Sequence, residues 1–261
     1  MSYTPVIPTT GLTGWRFLQS TYDRQMQGFR NAPVQKRDAA YFQDNIQSVS
    51  SAEQLVSDRR LLKVALGAFG LQDDINSRAF IRTILESDPT DTKSLVNRIT
   101  DQRYKDLANA FDFSSGLGPK TTRAGFAGAM IARYETQEFE ISVGEISQDM
   151  RLALSAKREL TELATQSGTD DTKWYKALGR PPLRRFLETA LGLPRGFGQI
   201  DLDQQLGELK SKSKRNFGIE SFDDFSKPKV IEAVVQRFQL LTQINTLNQM
   251  SSASIALQLL L

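Results

Sequence analysis

The stretch LLKVALGAFGLQDDI, residues 61–75, sets Leu61, Leu62, Ala65, Leu66 and Phe69 on one face of a helix and then reaches Gly70, a residue suited to a left-handed cap. Part of it returns far down the chain as FLETALGLPRGFGQI, residues 186–200. At a constant offset of 125 positions Leu62 meets Leu187, Ala65 meets Ala190, Leu66 meets Leu191, Gly67 meets Gly192 and Ile75 meets Ile200. Ile81 and Ile84 then face Leu206 and Leu209, and Phe111 faces Phe238 once two residues are inserted. Every matched position is apolar or glycine, so none can donate a proton or hold a phosphate through its side chain. Such an echo serves a shared kind of interior rather than a duplicated binding site. The string ALG recurs at 177–179, and the phase of the apolar positions weighs more than the identities.

The same periodicity extends outward. Leu12, Trp15, Leu18, Tyr22, Met26 and Phe29 form one stripe of an N-terminal helix that ends at the NAP of residues 31–33. That stripe either folds back on the body or meets a partner. Ser50 with Glu53, or Ser51 with Gln54, offers a capping box for a helix running to Phe69. Further helices are expected at about 77–86 and up to Phe111. SSGLGP, residues 114–119, is the clearest internal break. One or two long helices follow over about 121–166; EFEISV at 138–143 alternates like a strand but has no second strand to pair with, so it is read as helix. The last helix runs from Val230 to Met250 with Ile231, Val234, Val235, Phe238, Leu241, Ile244, Leu247 and Met250 on a broad face, and the chain ends in the apolar ALQLLL. The expected fold class is all-α and multihelical, with an internal duplication of two helical lobes joined by long central helices. The expected organisation is an N-terminal helical arm over 1–35 and an all-α domain over 36–261, with pseudo-repeats at about 61–111 and 186–238.

Composition narrows the chemistry. The chain has 261 residues, 39% of them apolar, enough for a sizeable core. Lysine and arginine number 33 against 30 aspartates and glutamates, a surplus too small and too spread to imply nucleic acid. Absence of cysteine removes disulfides and thiol chemistry; absence of histidine removes the commonest general base and transition-metal ligand. The N-terminal residues lack the pattern of a cleaved secretory signal, and no apolar run approaches the roughly 20 residues of a membrane span.

Candidate polar sites all have plainer readings. Asp201 and Asp203 could hold a hard cation, but residues two apart on a helix point to different sides, and helix capping is the stronger reading. DPTDTKS at 88–94 lacks the glycine and final glutamate of a calcium loop and reads as a turn, with Thr90, Asp91 or Thr92 capping the next helix. KSKSKR at 210–215 could touch phosphates or an acidic partner but reads first as a solvated helix end. Arg180, Arg184 and Arg185 in GRPPLRR could bind a carboxylate; ion pairing with neighbouring helices is the default. No serine–lysine spacing stands out.

The segments RLLKVALGAFGL (60–71), AFIRTILESDPTD (79–91), RYKDLANAFDF (103–113) and PLRRFLETALGLP (182–194) followed by IDLDQQL resemble an uncharacterised bacterial domain-of-unknown-function family, common in alphaproteobacteria and often encoded among flagellar genes. The resemblance runs through most of the chain. It implies an all-helical fold and a flagellar context, and it carries no catalytic or binding residue.

The expectation is a non-enzymatic structural or assembly protein of the flagellum acting through helical packing; the alternative is a cytoplasmic helical adaptor or chaperone that takes an amphipathic segment of a flagellar client. No cofactor and no metal are expected. Partners are expected to be proteins, flagellar components among them, with self-association allowed, no nucleic acid and no membrane span. Localisation is expected in the cytoplasm or the flagellum. The residues expected to meet a partner are Trp15, Leu18, Tyr22, Met26 and Phe29 near one end and Leu247, Met250, Ile255 and Leu257 near the other.

Overall fold

Both echo segments end in the same hydrogen-bonded device. Gly70 (φ +69°) and Gly192 (φ +63°) each sit in the left-handed region that glycine enters without penalty. At the first, the Leu71 amide donates to the Leu66 carbonyl (3.0 Å) and the Gly70 amide to the Gly67 carbonyl (3.1 Å); at the second, Leu193 donates to Glu188 (2.8 Å) and Gly192 to Thr189 (3.0 Å). These are two Schellman caps, which satisfy carbonyls that a helix end would otherwise leave open. The caps lie 122 positions apart, so the sequence offset of 125 is out by nearly one helical turn at this point. Counted from the caps, Leu61, Val64, Ala65, Ala68 and Phe69 correspond to Leu183, Phe186, Leu187, Ala190 and Leu191, and all ten are buried. Gly67 is not a cap at all. It lies inside a helix with the Tyr134 ring against it.

The computed structural model describes residues 3–115, 118–194 and 196–258, with side chains as far as residue 246. Its helices are α1 (Gly11–Arg30), α2 (Pro33–Asn45), α3 (Ala52–Ser57), α4 (Arg59–Gly67), α5 (Arg78–Glu86), α6 (Leu95–Arg98), α7 (Gln102–Phe111), α8 (Phe126–Gly144), α9 (Gln148–Thr165), α10 (Asp170–Leu178), α11 (Pro181–Ala190), α12 (Leu202–Phe217) and α13 (Pro228–Gln258), with short 3-10 turns between some of them. No strand occurs among the described residues, and 138–143 lies within α8. The fold is all-α and multihelical, as the periodicity requires.

Local chemistry explains the breaks. Pro33 ends the α1 pattern and also opens α2, where its missing amide costs nothing. The helix expected from Ser51 to Phe69 is two helices: Ser51 caps α3, and Asp58 then accepts from the amides of Arg60 (2.8 Å) and Leu61 (3.1 Å) and starts α4 afresh. Tyr41 donates to the other Asp58 oxygen (2.6 Å). Ser147 caps α9, so the central segment is two helices and not one. In the 88–94 turn, Asp88 accepts from Thr90 and Asp91 from Lys93, while the residue at the start of α6 is Ser94; the acids close their own turn instead of capping.

The chain divides into two compact units. Unit 1 comprises residues 1–5 and 22–142, and unit 2 comprises residues 6–21 and 143–261. The division falls inside α1 and α8, not at residue 35 and not at the SSGLGP break. The chain beyond that break returns to the core of unit 1: buried Thr121 donates to the Val49 carbonyl (2.7 Å), and Phe126, Ala127, Met130 and Tyr134 join the cluster built by α2 to α7. Within unit 1, α4 packs on α2 and α3, and α5 on α3 and α7. Within unit 2, α9 carries α10, α11, α13 and the Phe222–Ser226 turn. Rings fill both interiors: Phe111 meets Phe126 edge-on at 5.3 Å, Phe186 lies 4.6 Å from Phe238, and Trp174 is boxed by Phe222 (4.9 Å) and Phe225 (5.7 Å). The stretches 61–111 and 186–238 fall one in each unit.

A Cβ at Gly67 would lie 2.7 Å from Cδ2 of Tyr134, whose side chain is 1% exposed and whose hydroxyl is held by Asp38 (3.1 Å). Gly67→Ala gains up to about 1 kcal/mol of helix propensity but overpacks a fixed ring, at about 1–3 kcal/mol. The variant is expected to unfold at lower urea concentration than the parent, and an unchanged or higher midpoint would refute the ring contact.

Candidate functional site

The N-terminal stripe is internal. Trp15, Leu18, Met26 and Phe29 are buried and Tyr22 is half-buried, so the surface expected to await a partner is taken up within the chain. In unit 2, Trp15 donates its indole N–H to Glu232 of α13 (3.3 Å), and Gln243 of the same helix lies against Gly11. In unit 1, Phe29 meets Tyr3 edge-on at 5.9 Å and Phe139 at 5.6 Å, with Tyr22 on Phe139 at 5.5 Å. Leu247, Met250, Ile255 and Leu257 lie outside the residues whose side chains are described.

The polar candidates are absorbed by structure. Asp201 caps α12 by accepting from the Asp203 amide (2.8 Å), and Asp203 accepts from the Tyr175 hydroxyl (2.5 Å). Among the described residues no group of acids is placed to hold a metal ion. The three arginines of GRPPLRR serve different neighbours: Arg180, buried, reaches Glu159 (3.4 Å); Arg184 reaches Glu188 (2.8 Å) and Gln205 (3.0 Å); Arg185 is exposed.

Two clefts open on unit 2. One, of about 250 Å³, lies between α10 and α12 and is bordered by Trp174, Lys210, Lys214 and Glu220. The Trp174 indole N–H is buried there without a partner. Two of the three KSKSKR lysines are ion-paired: Lys210 with Asp170 (2.6 Å) and Asp171, and Lys214 with Glu220 (2.8 Å); Lys212 donates to the Gly192 carbonyl (3.1 Å). Desolvation alone would raise the Asp170 carboxyl and lower the Lys210 ammonium. The hydrogen bonds between them, with the Phe222 amide on Asp170 (2.6 Å), outweigh it and leave Asp170 below and Lys210 above their ordinary ranges. The other cleft, of about 240 Å³, is walled by polar side chains of α11 and α13, Arg185, Thr189, Thr242 and Asn245 among them. Ser211 and Ser221 also border the first cleft and Asp149 the second.

What the sequence reading missed is on α13. Its broad apolar face is in fact two faces. Ile231, Val234, Val235 and Phe238 are buried at 3% exposure or less, whereas Leu240 and Ile244 stand 51% and 41% exposed. Leu240 is two residues from Phe238, about 200° round the helix. The signal was present in the sequence as phase: Leu240 and Ile244 share a face that the buried row of Ile231, Val234, Val235 and Phe238 does not.

The geometry therefore defines an all-helical protein in which Arg180, Arg184, Lys210 and Lys214 are paired with nearby acids and in which apolar side chains stand exposed on α13. Residues 68–231 match a family described as protein of unknown function (DUF1217), and the chain belongs to that family. A crystal structure of a protein from Agrobacterium tumefaciens is similar, with a TM-score of 0.74 over 93% of this chain and 99% of that one at 24% identity, which establishes the shared fold. No curated protein matches. No helix among the described residues is long and apolar enough to cross a membrane.

Because Asp170 titrates below its unfolded value, its contribution to stability is present above the ordinary aspartate pKa of about 3.9 and is lost as pH falls through the lower, folded value. The urea midpoint is expected to fall in that acid window, and Asp170→Asn is expected to flatten the fall. An identical pH profile in the variant would contradict the pairing.

Proposed function

We propose that this chain is a non-enzymatic structural or assembly protein of the bacterial flagellum that works by helix packing. The observation that carries the reading is the second apolar face of α13, which begins at Leu240 and Ile244 outside the protein's own core. An apolar stripe left in water is a liability unless something covers it. The flagellar part rests on the family resemblance in the sequence segments quoted above. The absence of histidine and cysteine, and the mutual pairing of Lys210, Asp170, Lys214 and Glu220, support a role without catalysis.

The two units are further read as products of one internal duplication. Each runs through a short helix with a side-chain cap (Ser51, Thr169), a helix closed by a glycine Schellman cap, a 3-10 turn and another helix: α3, α4, Gln72–Asn76 and α5 in one, α10, α11, Phe197–Gln199 and α12 in the other.

Fractionation of motile cells of the native host tests the functional reading. The tagged chain is expected to be enriched with purified filaments or basal bodies. Recovery only from the cytosol with a co-purifying client would move the assignment to an adaptor or chaperone, and normal motility in a deletion strain would defeat both.

A further inference from the structure

We infer that the cleft of about 240 Å³ bordered by the start of α9, by α11 and by α13 is a binding site for a small zwitterion of the amino-acid class, which places its carboxylate on Arg185 and its ammonium on Asp149. The site goes beyond the packing role proposed above and does not depend on it. All of its walls belong to unit 2, and they are tied to one another. Phe186 of α11 lies 4.6 Å from Phe238 of α13, and the buried Gln239 of α13 donates its side-chain amide to the Asp149 carbonyl at the start of α9 (3.4 Å). Helices joined in this way hold their charged groups at a set separation, so a ligand has no loop to order on arrival.

Unspent charge selects the ligand. Arg180, Arg184, Lys210 and Lys214 have acids beside them, whereas among the described residues the Arg185 guanidinium and the Asp149 carboxylate make no ion pair with each other or with a third group, although both border this one cleft. A planar guanidinium takes a carboxylate through two parallel N–H···O bonds. The hydroxyls complete the opposite end. Thr189 gives its proton to the Arg185 carbonyl (3.0 Å), Thr242 to the Gln239 carbonyl (3.0 Å) and Thr246 to the Thr242 carbonyl (3.0 Å), so each offers a ligand lone pairs alone, which suit the N–H bonds of an ammonium. A phosphate would set its second negative charge against Asp149, and a lone carboxylate or a lone amine would leave one of the two charged groups unmatched. Size narrows the class further: clefts that take drug-sized molecules span roughly 300–1,000 Å³, and this one is smaller.

NMR titration of the full chain with alanine and, separately, with γ-aminobutyrate tests the site and distinguishes a compact α-amino acid from a longer ω-amino acid. At least one of the two is expected to saturate with a dissociation constant in the millimolar range, about what so few non-hydrogen atoms can supply, and to shift the side-chain amide of Asn245, which borders the cleft. Propionate and propylamine, each carrying one of the two charges, are expected to bind at least about tenfold more weakly. Arg185→Gln and Asp149→Asn are each expected to weaken the zwitterion by a similar factor of at least about ten. The urea midpoint of Arg185→Gln is expected to match the parent, because the Arg185 side chain is exposed and has no acid to lose. Failure of both zwitterions to saturate, equal binding of propionate or propylamine, an unmoved Asn245 amide, or parental affinity in either charge-removing variant overturns the inference.

Discussion

Helices as short as α4 and α11 do not hold together in water by their own hydrogen bonds. Nucleating a helix is costly, and below about 12–15 residues even a favourable sequence is marginal. Each exists because a continuous row of side chains is removed from water on one side and because a left-handed glycine closes the carbonyl end on the other. The two conditions reinforce each other. The cap fixes where the chain turns, and the turn keeps Phe69 or Leu191 against the interior rather than carrying it past. Much of the remaining architecture follows from this arrangement, since α2 and α3 in one unit, and α9 and α10 in the other, are the surfaces those rows are buried against.

Periodicity made the helices legible because burial leaves a geometric trace in sequence: an apolar side chain must recur each time the helix faces inward. That trace was sufficient to refuse the strand reading of 138–143, where Phe139 is buried within α8. It was insufficient for boundaries. Asp58 interrupts what looks like one helix because its carboxylate finds two backbone amides, a local event with no effect on the apolar phase. SSGLGP reads as a division because loops and unit boundaries share a composition; only the return of Thr121 to Val49 distinguishes them. The echo pairs Gly67 with Gly192, whereas the left-handed cap of the first segment belongs to Gly70: Gly67 and Gly70 are the same residue type with opposite tasks, one admitting a neighbouring ring and the other turning the chain.

The candidate surface was legible in part. Hydrophobicity alone placed contact residues at both ends of the chain, yet an apolar stripe looks the same in sequence whether its cover is internal or external. Trp15 and Leu18 are covered internally. On α13 the discriminating information was angular rather than compositional, and it emerged only when Phe238 and Leu240 could be seen to face different ways. The charged groups were more transparent. Asp201 as a cap and Arg184 as an ion-pair partner are what helix termini and neighbouring helices ordinarily ask of such residues.

The interrupted composition of unit 2 bears on how the molecule is made. Residues 6–21 leave the ribosome early, but the segment that completes their unit begins only at residue 143. Trp15 must therefore wait through the synthesis of all of residues 22–142 before Glu232 exists to receive its indole N–H. At about 5–20 residues per second that interval lasts many seconds. Until then Trp15 and Leu18 lack the neighbours that bury them in the finished fold, and that is the period in which a holding factor has most to protect.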